Sequence, residues 1–251
     1  MRYVVSLVIA CVCIIHVSAQ EPPGSFESAK KLLADLHEEI NYQFTLYCGC
    51  PYSRTTTSGG QVDREACGIE ARSNETRSKR IEWEHVVPAS WFGQTRACWM
   101  LKEIAYPEEC EGKSGRECCE AVNEDFELAH NDPNNLFPAV GEVNADRSNH
   151  PYGEVPGEPR VYGLCDAEII ELPDGNKLFE PAEGKVRGTV ARAMLYMAQV
   201  YGVNVQLPME EIWSWHQNNP PEAWEIERAK LIAERTGLCN EWVLSNCNSG
   251  H

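Results

Sequence analysis

Residues 81–93 read Ile81-Glu82-Trp83-Glu84-His85-Val86-Val87-Pro88-Ala89-Ser90-Trp91-Phe92-Gly93. β-Branched and aromatic residues at Ile81, Trp83, Val86 and Val87 favour a strand, and Pro88 ends it because proline has no N–H to give to a ladder. Glu84 and His85 are adjacent, so a regular strand would send their side chains to opposite faces. A bend or bulge at the strand end would let both flank one point, with Glu84 on a metal and His85 on a water. Two residues alone do not require this, and an edge glutamate beside a packed histidine is the simpler reading.

A second stretch shifts the balance. Residues 132–149 read DPNNLFPAVGEVNADRSN, with polar groups at Asn134 and Asn135, an apolar segment, and a further polar cluster at Asn144, Asp146, Arg147 and Asn149. Leu136, Phe137, Val140 and Val143 make it too apolar for an idle surface loop. Polar groups packed among such residues need partners or a ligand.

IEWEHVVPA followed by NNLFPAVGEVNADRSN resembles the endonuclease I family of secreted and periplasmic nucleases, members of the ββα-metal (His-Me finger) nucleases. The likeness begins near Tyr47 to Cys50, passes through residues 62–80 and continues to residues 224–242, most of the chain. It implies cleavage of DNA, and often of RNA, with little sequence preference and 5′-phosphate ends. It implies His85 as general base, Arg116 on the phosphate, and Glu84 and Asn135 as ligands of one divalent cation. Mg²⁺ is the default ion, with Mn²⁺ or Ca²⁺ as substitutes. The chemistry of these residues agrees: a neutral imidazole accepts a proton near pH 7, a hard cation takes oxygen ligands while keeping several waters, and a guanidinium stabilises phosphate charge.

The chain departs from the family pattern in two places. Asn134 stands where a histidine or similar residue usually precedes the metal-binding asparagine. Residues 98–122 are longer than usual and carry extra cysteines at Cys110 and in the Cys118, Cys119 pair. Cys110 is expected to bond to one of that pair and staple the insertion, which also holds Arg116.

Working outward, residues 1–19 combine Arg2, an apolar run and a small-residue Val-Ser-Ala site, the pattern of a secretory signal peptide cleaved near Ala19. No second long apolar run follows, so no membrane span is expected. Of twelve cysteines, removal of Cys11 and Cys13 leaves ten, an even number that in an exported chain points to disulfides. Their spacing lacks paired C-x-x-C units and disfavours structural zinc. Residues 20–251 are expected to form one nuclease domain of α+β class, helix-rich and disulfide-stabilised, around a ββα-metal unit. No association seam is visible, which suggests a monomer.

A net charge of −16 argues at first against a nucleic-acid partner. Local charge differs. Between Arg64 and Arg80 five cations (Arg64, Arg72, Arg77, Lys79, Arg80) face three acids (Glu65, Glu70, Glu75). A solvated mixed-charge segment is one reading of this run; with the family likeness, Arg72, Arg77 and Arg80, joined by Arg147, become the expected substrate contacts. Asn74-Glu75-Thr76 is a glycosylation sequon in the same run.

Elsewhere, apolar spacing predicts an amphipathic helix over Phe26 to Leu46, with His37 at the surface or core edge. A loop is expected over Ser53 to Gln61, and a hairpin around Pro173-Asp174-Gly175. Helices are expected over Lys185 to Tyr201 and Pro221 to Arg235, with the tail tethered through Cys239 or Cys247 and His216 packed. Two further function classes stay open: a secreted nucleic-acid-binding homologue without catalysis, and a hydrolase of another phosphodiester, which a deep closed pocket would favour.

Overall fold

The computed structural model describes residues 22–154, 157 and 160–247. The predicted signal peptide and its cleavage site lie outside these residues. Among the described residues no helix is long and apolar enough to cross a membrane.

The elements run in the order α1 (Phe26–Glu39), β1 (Tyr52–Arg54), β2 (Gly60–Val62), α2 (Arg64–Cys67), α3 (Glu75–Ser78), β3 (Ile81–His85), α4 (Ala89–Gly93), α5 (Ala97–Met100), α6 (Lys102–Ala105), α7 (Gly115–Val122) and α8 (Glu124–His130). After a 3-10 turn at Pro133–Asn135 come β4 (Leu136–Val140), α9 (Gly141–Arg147), β5 (Glu168–Glu171), β6 (Lys177–Glu180), α10 (Lys185–Tyr201), α11 (Met209–Asn218) and α12 (Ala223–Thr236). This is the expected mixed, helix-rich architecture, with three two-stranded antiparallel sheets among the described residues, β1-β2, β3-β4 and β5-β6.

Helix α1 is shorter than its apolar spacing suggests. Asn41 takes a left-handed conformation (φ 51°), while Tyr42 N–H donates to the His37 carbonyl and Asn41 N–H to that of Glu38. These are the paired bonds of a Schellman stop. The chain then turns back, so Phe44 bridges Pro51 instead of extending the helix. His37 is corrected from surface or core edge to core: it is 1 % exposed and packs edge-on to Trp83.

The expected loop at Ser53 to Gln61 is mostly hairpin, since Ser53 pairs with Gln61 and only residues 55–59 turn. Polar composition concealed the strands because their partners are distant: Trp83 Nε1 donates to the Ser58 carbonyl, and Arg54 reaches Asp35 and Glu38 of α1. The later hairpin matches expectation, with Gly175 at φ +83° in its turn. Helix α10 spans the expected residues, and α12 lies within two residues of expectation.

Among the described residues five disulfides join Cys48 to Cys165, Cys50 to Cys67, Cys98 to Cys119, Cys110 to Cys118, and Cys239 to Cys247. Cys110 thus bonds within the expected pair. The tail cysteines bond to each other, closing a local loop after α12 instead of tying the tail to another element.

Strand β3 pairs with β4 in unbroken register from Ile81 opposite Val140 to His85 opposite Leu136. Helix α9 follows β4 at once and packs against both strands. Gly141 is required at this junction, because a Cβ there would come within 2.8 Å of the Arg77 carbonyl. On the buried side, Arg228 of α12 donates to the carbonyls of Pro133 and Leu136 at 2.7 and 2.6 Å. Asp132 accepts from Tyr196 and Tyr201 at 2.7 and 2.6 Å. The polar groups at the start of the second motif therefore have partners from the helical body.

Candidate active site

A cleft of about 420 Å³ opens where β3 ends, bounded by Glu84 and His85, by Asn144 and Ser148 on and after α9, by Arg77, and by Trp99 and Arg116. No bulge intervenes in β3. The strand stops at His85 and the cleft meets its end, so adjacent residues line one space.

Glu84 is held from behind. Tyr47 Oη donates to its Oε1 at 2.8 Å, and the Tyr152 hydroxyl lies 2.6 Å from that of Tyr47. Arg147 Nε stands 3.3 Å from the same carboxylate oxygen, while its Nη2 donates to the Val86 carbonyl at 2.7 Å. Both restraints act on Oε1, and among the described residues Oε2 has no hydrogen-bond partner. Burial raises the Glu84 pKa to about 7, against the opposing pull of Arg147 and of the Tyr47 hydroxyl. A carboxylate in this state is short of positive or hydrogen-bonding company.

His85 has its tautomer set by the backbone. Nε2 lies 2.8 Å from the His130 carbonyl oxygen, which can only accept, so Nε2 carries the proton and Nδ1 keeps the lone pair. Burial, then the neighbouring His130, hold the pKa well below the ordinary histidine range. The ring is neutral at pH 7. Phe26 stacks on it at 5.1 Å, and the His130 ring lies 4.6 Å away, with His130 Nδ1 2.8 Å from Glu120.

The structure separates the two asparagines. Asn135 is fully buried; its Oδ1 accepts from Val87 N–H at 2.7 Å and its Nδ2 donates to the Val87 carbonyl at 2.9 Å. Its amide pairs with the backbone as a neighbouring strand would, and it does not line the cleft. Asn144 does. Its Nδ2 donates to Glu82 at 3.0 Å, which fixes the amide and leaves Oδ1 without a partner among the described residues. Asn144 stood in view in the sequence as part of a polar cluster but carried no role there. The usable signal was helical spacing: Val143 and Arg147, four apart, are buried, while Asn144 and Ser148, also four apart, line the cleft.

Arg116 reaches the cleft from the first turn of α7, whose Ser114 and Glu117 form a capping box. It is exposed and makes no ion pair among the described residues. The Cys98–Cys119 and Cys110–Cys118 bonds anchor the same helix.

The expected substrate contacts divide. Arg77 lines the cleft but is paired with Glu82 at 3.0 Å. Arg80 shares that carboxylate at 2.8 Å, outside the cleft. Arg72 pairs with Asp146 at 3.0 Å in an adjoining hollow. Arg147 requires correction: it is 0 % exposed, so it cannot meet a substrate from solution, and its guanidinium positions Glu84. Its burial is compensated by the Val86 and Ser148 carbonyls and by the Tyr152 face, 4.5 Å away. Behind the basic loop, Glu142 of α9 accepts from the backbone N–H groups of Arg72, Ser73 and Asn74. Burial would raise its pKa, but these bonds outweigh it and keep it lowered. Asn74, the sequon residue, accepts from Arg77 N–H and caps α3.

The family model of endonuclease I matches residues 25–247. The chain belongs to the endonuclease I family. This endonuclease is 34 % identical over 226 residues to an extracellular deoxyribonuclease of Aeromonas hydrophila, covering 89 % of this chain and 90 % of the relative. It is also 34 % identical to a periplasmic deoxyribonuclease of the same species (92 % and 90 % covered). A third relative, Endonuclease-1 of Buchnera aphidicola subsp. Acyrthosiphon pisum, is again 34 % identical (89 % and 82 % covered). The family places phosphodiester cleavage in this chain, and Glu84, His85, Asn144 and Arg116 share one cleft.

Proposed function

We propose that this endonuclease is an exported, divalent-metal-dependent enzyme that hydrolyses DNA, and RNA as well, with little sequence preference and with 5′-phosphate products. β3, β4 and α9 would form its ββα-metal unit, and the protein would act as a monomer. The observation that carries this reading is the state of His85: its proton is committed to a backbone carbonyl, and its other nitrogen is an unprotonated base in a ring lining the same cleft as Glu84, Asn144 and Arg116.

The donor set fits a hard divalent cation. Among the described residues no group of three or more His, Cys, Asp or Glu side chains forms a metal cage. An ion here would rest on Glu84 Oε2 and Asn144 Oδ1, with water and substrate completing its shell, as suits Mg²⁺. Mn²⁺ or Ca²⁺ could substitute. This assigns the amide ligand to Asn144 in place of Asn135. When bound, the cation would supply charge neutralisation at the phosphate and the leaving oxygen.

The chain's own groups do the rest. His85 Nδ1 takes a proton from the attacking water. Arg116, which pairs with no carboxylate among the described residues, holds the phosphate and opposes the negative charge that grows on it. Arg147 and Tyr47 keep Glu84 in place, and Arg77 lends positive potential although Glu82 offsets part of it. Export is supported by the N-terminal signal pattern, the five disulfides and the extracellular and periplasmic naming of relatives.

The test is cleavage of supercoiled plasmid and of single-stranded RNA by the oxidised protein, with Mg²⁺ and with EDTA. His85→Ala should lower the rate by roughly 10²-fold to 10⁴-fold, and EDTA should abolish cutting. Binding of DNA without cleavage under any divalent ion would favour the non-catalytic homologue.

A further inference from the structure

Beyond the catalytic cleft, on the far side of the end of α9, lies a second hollow of about 430 Å³ whose walls include Arg72, Ser148, His150, Ile169 and Lys177. Ala145 and Ser148 border both hollows, so they meet across the last turn of α9. Arg116 lines the catalytic cleft and is absent from the lining of the second hollow.

Resting on the nuclease reading, we propose that this hollow is a second phosphate-binding stretch, in which Lys177 and His150 hold the backbone of a polynucleotide away from the bond cut beside His85. The strand would run from Arg116, past Glu84 and His85, over Ser148, and on to the β5–β6 hairpin.

Asp146 and Glu171 also line the hollow, so the positive charge that a nucleic-acid backbone would meet here is that of Lys177. Lys177 is exposed and forms no ion pair among the described residues. Glu171 is its cross-strand partner in register yet stands outside ion-pair distance. Arg72 is already paired with Asp146, so among the described residues Lys177 is the uncommitted cation of this hollow. On a chain of net charge −16, a free lysine continuous with the cleft is a local exception that an anionic polymer can use. His150 is kept neutral at pH 7 by burial and by the nearby Lys177 and Arg147, so it serves as an N–H donor. Half-buried Ile169 and Ile170 offer an apolar floor to sugars. Ser148 holds φ +52° and ψ −119°, a conformation that non-glycine residues rarely adopt and that tends to persist at functional positions. It turns the chain where the two hollows join.

Lys177→Glu, Lys177→Gln and His150→Gln in the full oxidised chain test the idea. Steady-state cleavage of long duplex DNA and of a dinucleotide would be measured, together with binding of a duplex oligonucleotide in EDTA across a salt series. Both Lys177 variants should raise KM for long DNA, on the order of threefold to tenfold, and flatten the salt dependence of binding by about 0.9 in log–log slope, because one phosphate is no longer neutralised. kcat should be unchanged, and the dinucleotide, too short to reach Lys177, should be cut at the wild-type rate. His150→Gln should raise KM without changing the slope, since it removes a neutral donor. An unaltered KM and salt slope in Lys177→Glu would overturn the proposal, as would an equal loss on both substrates. Wild-type protein that cuts neither substrate would count against the nuclease reading, while the salt slopes in EDTA would still decide for or against the groove.

Discussion

Among the described residues two glutamate–arginine pairs are buried, and they are built differently. In the helical body, Glu225 of α12 meets Arg192 of α10 through two bonds of 2.6 Å, one on each carboxylate oxygen, and Thr189 adds a third at 3.1 Å. In the cleft, Glu84 has Arg147 only at 3.3 Å and a single hydroxyl bond, both on Oε1. The first carboxylate is saturated by its own protein, while the second is fixed in place with one oxygen left open. The asparagines repeat the contrast, with both amide atoms of Asn135 used by Val87 and only one of Asn144 used by Glu82. The histidines extend it. His37 donates to the Tyr42 carbonyl with its other nitrogen shut in the core, whereas His85 lines the cleft. Polar groups in the body are closed to further ligands, and those at the end of β3 are held but incomplete.

Replacing Arg192 with methionine should have the largest effect on stability. It strands Glu225 as an unpaired buried charge and should cost about 3–5 kcal/mol in urea unfolding, with cleavage per folded molecule unchanged. If activity fell further than the folded fraction, the body and the cleft would not be separable in this way.

Tyr47→Phe comes next. It removes the one side-chain hydroxyl that donates to Glu84 among the described residues and should cost about 1.5–3 kcal/mol. It should also raise the Mg²⁺ concentration needed for half-maximal cleavage, because the carboxylate is no longer oriented. A variant that lost stability but kept its metal dependence would make Tyr47 a packing residue only.

The smallest effect concerns pH. His37 has its pKa depressed to about 3 by burial, with the Arg228 charge next. At pH 7 both folded and unfolded chains hold it neutral, and below about pH 6.5 only the unfolded chain gains the proton. Stability therefore falls on acidification, by about 1 kcal/mol from this group between pH 7 and 5.5. His37→Leu should flatten that part of the stability-against-pH curve, and an unchanged slope would show that His37 takes up its proton in the folded state.

Much of this was legible locally. The β-favouring run before Pro88, the apolar spacing of residues 185–201 and the Pro-Asp-Gly turn each contain their own cause within a few neighbours. Glu84, His85 and Arg116 were placed in one site by family likeness, and the structure brings them to one cleft. What escaped was decided by partners distant in sequence. Arg147 reads as a surface cation until Glu84, Val86 and Tyr152 are folded around it. Asn135 and Asn144 are chemically alike, and nothing local tells which one Val87, 48 residues earlier than Asn135, will saturate. His37 looked peripheral because Trp83 reaches it from another element.

The most direct measurement sets the two asparagines against each other. Mg²⁺ and Mn²⁺ affinity by calorimetry and thermal unfolding without metal would be recorded for Asn144→Ala and Asn135→Ala. Asn144→Ala should lose about tenfold or more in metal affinity with little change in unfolding. Asn135→Ala should lose about 1–3 kcal/mol of stability and, where still folded, bind the ion as the wild type does. Metal binding that survives in Asn144→Ala but disappears in a stably folded Asn135→Ala would contradict the assignment and return the ligand role to Asn135.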